Sequence, residues 1–281
     1  MSRNNARRLG MQQGANADTS PPPSNEFSFI APTEMVDLPS KGALYPEGHP
    51  LHGAESVEIR FMTAKEEDIL LNENYIKKNV VIEKFLESVL VNKNIKPDKM
   101  LVGDKNAIII AARVSGYGNT YNTTVTCPQC GQASRFNFDL LEHEVYSGDE
   151  YDASEIRPTD NGTFMITAPL CRAEVEFRPM NGADEKHFTN LLADAKKRRN
   201  ATGIITQQLM KVVVSVNGET DPQYLRSFAE KAPARDSSYI RNALKQVTPD
   251  IDLSQNFECS ACDYEGTIGV PLNAEFFWPD R

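Results

Sequence analysis

Two cysteine pairs constrain this 281-residue sequence more than any other feature. Cys127-Pro128-Gln129-Cys130 and Cys259-Ser260-Ala261-Cys262 each have the two-residue gap of a metal knuckle, and 128 residues (131 to 258) separate them. The short gap suits a tight turn that aims two sulfurs at one ion, and Gly131 can take the positive φ often needed just after such a turn. Two knuckles complete a closed tetrahedral shell, so the spacing predicts one structural Zn2+ held by Cys127, Cys130, Cys259 and Cys262. Closing a flexible loop of this length costs roughly 4 kcal/mol. Structural zinc is worth on the order of 10 kcal/mol or more. The metal can therefore clamp both ends of a large insertion.

Two other uses of cysteine compete with zinc. A Cys-x-x-Cys is also the pattern of a redox dithiol, but this chain has two of them, and five cysteines in all are too few for a disulfide-stapled secreted scaffold. The fifth, Cys171, follows Ala168-Pro169-Leu170 between two expected strands and reads as a small buried hydrophobe. His49 and His52 lie close together without a cysteine beside them and read as exposed loop residues; His143 and His187 sit in unrelated contexts.

A net charge of −9 and a pI near 5.1 argue against a generic binder of nucleic acid or anionic membrane, whose affinity depends on clustered Lys and Arg. A zinc-ribbon nucleic-acid-binding protein is accordingly the alternative reading. No apolar run approaches the roughly 18 residues of a membrane span, and the amino terminus lacks the apolar core of a secretory signal. A reducing cytosol is the expected compartment.

The expected fold class is α+β: antiparallel strands form a zinc-ribbon-like unit, helical segments precede it, and a large mixed insertion separates the two knuckles. Residues 1–35 are expected to be a disordered tail, residues 36–120 a strand and helices with an extended arm, and residues 121–281 the ribbon unit with its insertion at 141–255. The arm, 38–46, has two prolines and apolar residues that want a surface, so it is expected to be an exposed docking element. Val57, Ile59 and Phe61 alternate as a strand, and Thr63 stands three residues before Glu66, a capping-box spacing that opens a helix. Further helices are expected over Val81 to Leu90 and from Asp104 until Gly116 and Gly118 stop it. Alternating residues lead into and out of each knuckle, which puts the cysteines in hairpin turns. Residues 142–160 read as a solvated acidic loop, and residues 182–248 read as helical throughout. The basic run Lys196-Lys197-Arg198-Arg199 suits a helix C-terminus. The closing Phe276-Phe277-Trp278-Pro279 reads either as a plug in the chain's own core or as a partner anchor.

No phosphate-binding Gly-rich loop, His-Glu-x-x-His or Gly-x-Ser-x-Gly elbow occurs, and four thiolates leave zinc no open position for a substrate. A non-enzymatic protein is expected.

Several motifs in fixed order extend this reading. They are Leu38-Pro39-Ser40-Lys41-Gly42 with Tyr45-Pro46, Met62-Thr63-Ala64-Lys65-Glu66-Glu67-Asp68, Gly103-Asp104-Lys105, and Arg113 with Gly116-Tyr117-Gly118. The first knuckle and the closing Phe276-Phe277-Trp278-Pro279 complete the set. Together they resemble the baseplate hub proteins of T4-like contractile-tailed bacteriophages, over residues 36–140 and again over 255–281. The resemblance implies a virion-assembly protein, in the tail baseplate or in the host cytoplasm during assembly. It would act by binding other phage baseplate hub proteins; the acidic balance and the lack of an apolar span add the expectation of no nucleic-acid and no membrane partner.

Overall fold

The computed structural model describes residues 31–198, 203–270, 272 and 274–277, without side-chain detail at 194–198 and 274–275. Residues 1–30 of the expected tail, the side chains of the basic run from Lys196 to Arg199, and Trp278 and Pro279 therefore lie outside the described residues.

The first core is built in chain order. β1 (Thr33–Asp37) pairs antiparallel with β2 (Ser56–Arg60), placing Val36 opposite Val57, and Val57 and Ile59 point into the core as their alternation predicts. α1 (Ala64–Leu70) opens as the capping-box spacing requires: the Glu66 carboxylate accepts from the Thr63 amide at 3.0 Å and its hydroxyl at 2.6 Å. Glu66 also accepts from Ser88 Oγ at 2.6 Å and Arg60 Nη2 at 3.2 Å, so this buried charge has several partners. α2 (Glu73–Lys77) starts at Asn72, whose side chain accepts from the amides of Asn74 and Tyr75. α3 (Val81–Val89) buries Val81, Phe85, Leu86 and Val89, one stripe at helical spacing. Lys93 Nζ caps its far end on the carbonyls of Glu87, Ser88 and Leu90.

α4 (Val102–Tyr117) is the helix around which the rest is arranged, and its first turn explains the Gly103-Asp104-Lys105 motif residue by residue. A Cβ at Gly103 would collide with the Pro249 carbonyl, so glycine lets the end of the insertion run against the helix. Asp104 accepts from Ser40 N at 3.0 Å, Ser40 Oγ at 2.6 Å and Tyr45 Oη at 2.7 Å. Lys105 pairs with Glu185.

Two hairpins follow the helix in space. β3 (Thr120–Thr126) pairs with β4 (Ala133–Asp139), and after the insertion β11 (Gln255–Glu258) pairs with β12 (Glu265–Ile268). Within the insertion, β5 (Glu144–Tyr146) pairs antiparallel with β10 (Asp250–Asp252). A four-stranded antiparallel sheet of β6 (Arg157–Pro158), β7 (Phe164–Thr167), β8 (Glu174–Phe177) and β9 (Val213–Val216) forms the rest, in that order. α5 (Gly182–Arg198), α6 (Ile204–Val212), α7 (Pro222–Lys231) and α8 (Ala234–Val247) complete it. Ile166, Val175, Phe177, Val212, Ile240 and Val247 lie in its own second core. The antiparallel hairpins, the helices before them and the mixed insertion give the α+β architecture expected from the sequence.

The structure corrects several expectations. The 38–46 arm is not an exposed docking element: Leu38 is 2% exposed and Tyr45 3%, and Asp104 holds the segment down. Strand β1 begins at Thr33, inside the segment expected to be tail. The acidic stretch 142–160 carries β5 and β6, because pairing with β10 and β7 supplies what its composition conceals. Residues 213–216 leave the expected helical run to become β9: Val-Val-Ser-Val is β-prone and satisfies the open edge of β8. Cys171 is exposed, in the tight turn between β7 and β8. His49 is half-buried, its ring stacked on Tyr45 at 4.4 Å, whereas His52 is exposed as expected. The closing aromatics resolve as a plug, with Phe276 against Tyr121 at 5.1 Å and Phe277 against Phe85 at 4.9 Å.

Candidate metal centre

Each cysteine pair occupies the turn of a hairpin, and the two turns are built alike. The Cys127 amide donates to the Gln132 carbonyl at 2.9 Å, and the Cys259 amide donates to the Tyr264 carbonyl at 3.0 Å, five residues on in both cases. Gly131, at φ 73°, closes the first turn by donating to the Cys127 carbonyl at 2.9 Å. In the second, the Ala261 amide lies 3.5 Å from the Cys259 sulfur.

Side chains between the hairpins hold the turns face to face. Phe136 meets Phe138 at 4.7 Å and Phe257 at 5.6 Å, both edge-on, and Phe257 continues the row to Tyr264 at 6.4 Å. Arg113 of α4 ties down the outer parts, donating to the carbonyls of Gly118 at 3.0 Å, Thr120 at 3.3 Å and Phe276 at 3.3 Å. The start of the first hairpin and the closing aromatic turn thus share one guanidinium. The guanidinium also lies 5.0 Å from the centre of the Tyr117 ring, so Arg113 engages both Tyr117 and Gly118 of its motif, a role that only the fold reveals.

The result is a four-thiol cluster whose sulfurs lie within 4.8 Å of one another and can hold a metal ion. Cys127 faces Cys262 at 3.7 Å, and Cys130 faces Cys259 at 3.7 Å. A tetrahedral ion with metal–sulfur bonds of about 2.3 Å sets its sulfurs about 3.8 Å apart. A disulfide would bring them to about 2.05 Å, and all five cysteines are free. Cys127 is buried, Cys259 and Cys262 are half-buried, and Cys130 is exposed at the rim. Of the candidate residues, the structure brings these four together; Cys171 and the histidines stay away from the cluster.

The cluster's electrostatics suit a cation. Burial pushes the Cys127 thiol up, but the amides of Cys130 and Gln129 and the neighbouring sulfurs outweigh it and bring the thiol down to about 7. Cys262 is pushed up to about 12 by burial, with the other three sulfurs adding to the rise. Four thiols sharing so little space cannot all ionise on their own, and the protons belong to the group rather than to single residues. A divalent ion among them would reverse that logic and deprotonate the set.

The family model for the T4 bacteriophage base plate protein matches residues 32–278, nearly the whole chain and both knuckles. The chain belongs to that family. No curated protein and no solved structure matches it. Membership implies a structural role in a phage baseplate and contacts with other baseplate proteins. Among the described residues, no helix of this baseplate protein is long and apolar enough to cross a membrane.

Proposed function

We propose that this baseplate protein is a component or assembly factor of the tail baseplate hub, acting by protein–protein binding and braced by one structural Zn2+ on Cys127, Cys130, Cys259 and Cys262. The observation that carries the metal assignment is the pair of 3.7 Å cross-knuckle sulfur distances, which fit a tetrahedral thiolate shell. Zinc supplies no chemistry to a substrate here; its four bonds would join the hairpins that bracket the insertion. The hub assignment is supported by the ordered motifs, which the fold uses as joints: Asp104 to the 38–46 arm, Arg113 to Phe276, and Thr63 to Glu66.

The deciding experiment is affinity purification of the full chain from phage-infected cells, with mass spectrometry of what comes with it. Recovery of hub proteins in stoichiometric amounts is expected. Recovery of outer baseplate proteins alone would remove the hub assignment while leaving the family membership intact.

A further inference from the structure

We infer that the four thiols have a second, covalent state in which peroxide joins the two knuckles across the site, Cys130 to Cys259 first and Cys127 to Cys262 second. The inference deepens the four-cysteine metal reading, on which it rests, by assigning the oxidation chemistry of the same cluster. Both pairs face each other at 3.7 Å, and a disulfide needs about 2.05 Å, so each sulfur has to move by only about 0.8 Å. The amide bonds to Gln132 and Tyr264 keep each turn in place, leaving the side-chain torsions as the freedom through which facing sulfurs meet.

Exposure sets the order. Cys130 is the exposed sulfur, its facing partner Cys259 is half-buried, and Cys127 is buried. Peroxide therefore meets Cys130 first. The Cys130 thiolate attacks one peroxide oxygen; a sulfur–oxygen bond forms, the oxygen–oxygen bond breaks, hydroxide leaves and a sulfenic acid remains. The Cys259 thiolate then attacks the Cys130 sulfur; the disulfide forms, the sulfur–oxygen bond breaks and a second hydroxide leaves. Cys127 and Cys262 repeat the sequence with a second peroxide. Four thiolates and two peroxides thus give two disulfides and four hydroxides, and a bound divalent cation departs because its donors are consumed. The bridges span 129 and 135 residues of chain, so the clamp on the insertion survives loss of the ion.

Proteolysis of the intact, full-length protein tests this directly. Cleavage after Arg113, Arg135 and Lys245 leaves Cys127 with Cys130 in one peptide and Cys259 with Cys262 in another. After hydrogen peroxide, alkylation and trypsin, the two peptides are expected as one reducible species, with zinc released in step. With one equivalent of peroxide, the alkylated residues of the cluster should be Cys127 and Cys262, with the exposed Cys171 alkylated throughout in a separate peptide. Separate peptides carrying internal disulfides would overturn the inference, as would a first bridge between any other pair. Zinc in the untreated protein, measured in parallel, tests the metal reading separately: cross-linked peptides from a protein that never held zinc would sink that reading and leave this one standing.

Discussion

The side-chain amide of Gln255 pairs with the peptide group of Asp139 as a second backbone would: Asp139 N donates to Gln255 Oε1 at 3.2 Å, and Gln255 Nε2 donates to Asp139 O at 2.5 Å. This joins the first residue of the second hairpin to the last residue of the first. The facing of the two knuckles therefore has a fixed point at the end of the strands opposite the sulfurs. Gln255→Ala should cost about 1 kcal/mol by removing both bonds, although the Asp139 carbonyl keeps the Glu142 amide as a donor, and should speed zinc transfer to a competing chelator. Unfolding curves and transfer rates equal to those of the parent would show that the aromatic row alone sets the geometry.

One zinc per chain is expected by elemental analysis of freshly reduced protein, and a chelator should lower the melting temperature. Cys259→Ser removes a proposed ligand and should destabilise strongly. Cys171→Ser, at an exposed turn where Asp236 accepts from both the backbone amide and the side chain and a hydroxyl can still donate, should fall within about 0.5 kcal/mol of the parent. Equal shifts for the two variants would count against the metal set.

The buried arm gives a prediction about truncation. Asp104→Ala should cost about 3 kcal/mol, because Ser40 N–H, Ser40 Oγ and Tyr45 Oη lose a buried acceptor together. Deleting residues 1–46 removes Leu38 and Tyr45 from the core and should leave a protein without a cooperative transition. A cooperative transition with unchanged midpoint in the deleted chain would show that the arm is dispensable to the fold.

Asp236 provides a test in pH. Its buried carboxylate accepts from the amides of Leu170 at 2.7 Å and Cys171 at 2.9 Å; burial pushes its pKa up, but these amides prevail and hold it below the usual carboxylate value. A lowered folded pKa means that the unfolded chain binds the proton more readily, so the stabilisation is present above about pH 4 and is lost as pH falls through the lowered value. The gap in melting temperature between the parent and Asp236→Asn should be widest near neutrality and should close on acidification. A gap independent of pH would mean that the anion contributes nothing at this turn.

Binding to random duplex DNA at about 150 mM salt is expected to be weaker than micromolar, since a chain of net charge −9 repels the phosphate backbone. Submicromolar affinity by fluorescence anisotropy would restore the zinc-ribbon nucleic-acid reading.

The knuckles were legible because a metal site needs particular atoms at short spacing, and Cys127 with Cys130 or Cys259 with Cys262 carries that need locally. The capping of α1 by Thr63 and Glu66 and the buried stripe of α3 were legible for the same reason, since capping and helical periodicity act over one or two turns. The facing of the two hairpins, the fate of the 38–46 arm and the identity of 213–216 were decided by the tertiary structure. Asp104 meets Ser40 across 64 residues, Arg113 meets Phe276 across 163, and β9 is a strand because β8 has an edge to pair. An apolar loop with prolines has the same sequence whether it lies on a partner or on its own core; what separates the two is a buried carboxylate placed by a helix far along the chain. Local chemistry determined which groups this protein owns, and long-range packing determined which of them are spent on holding it together.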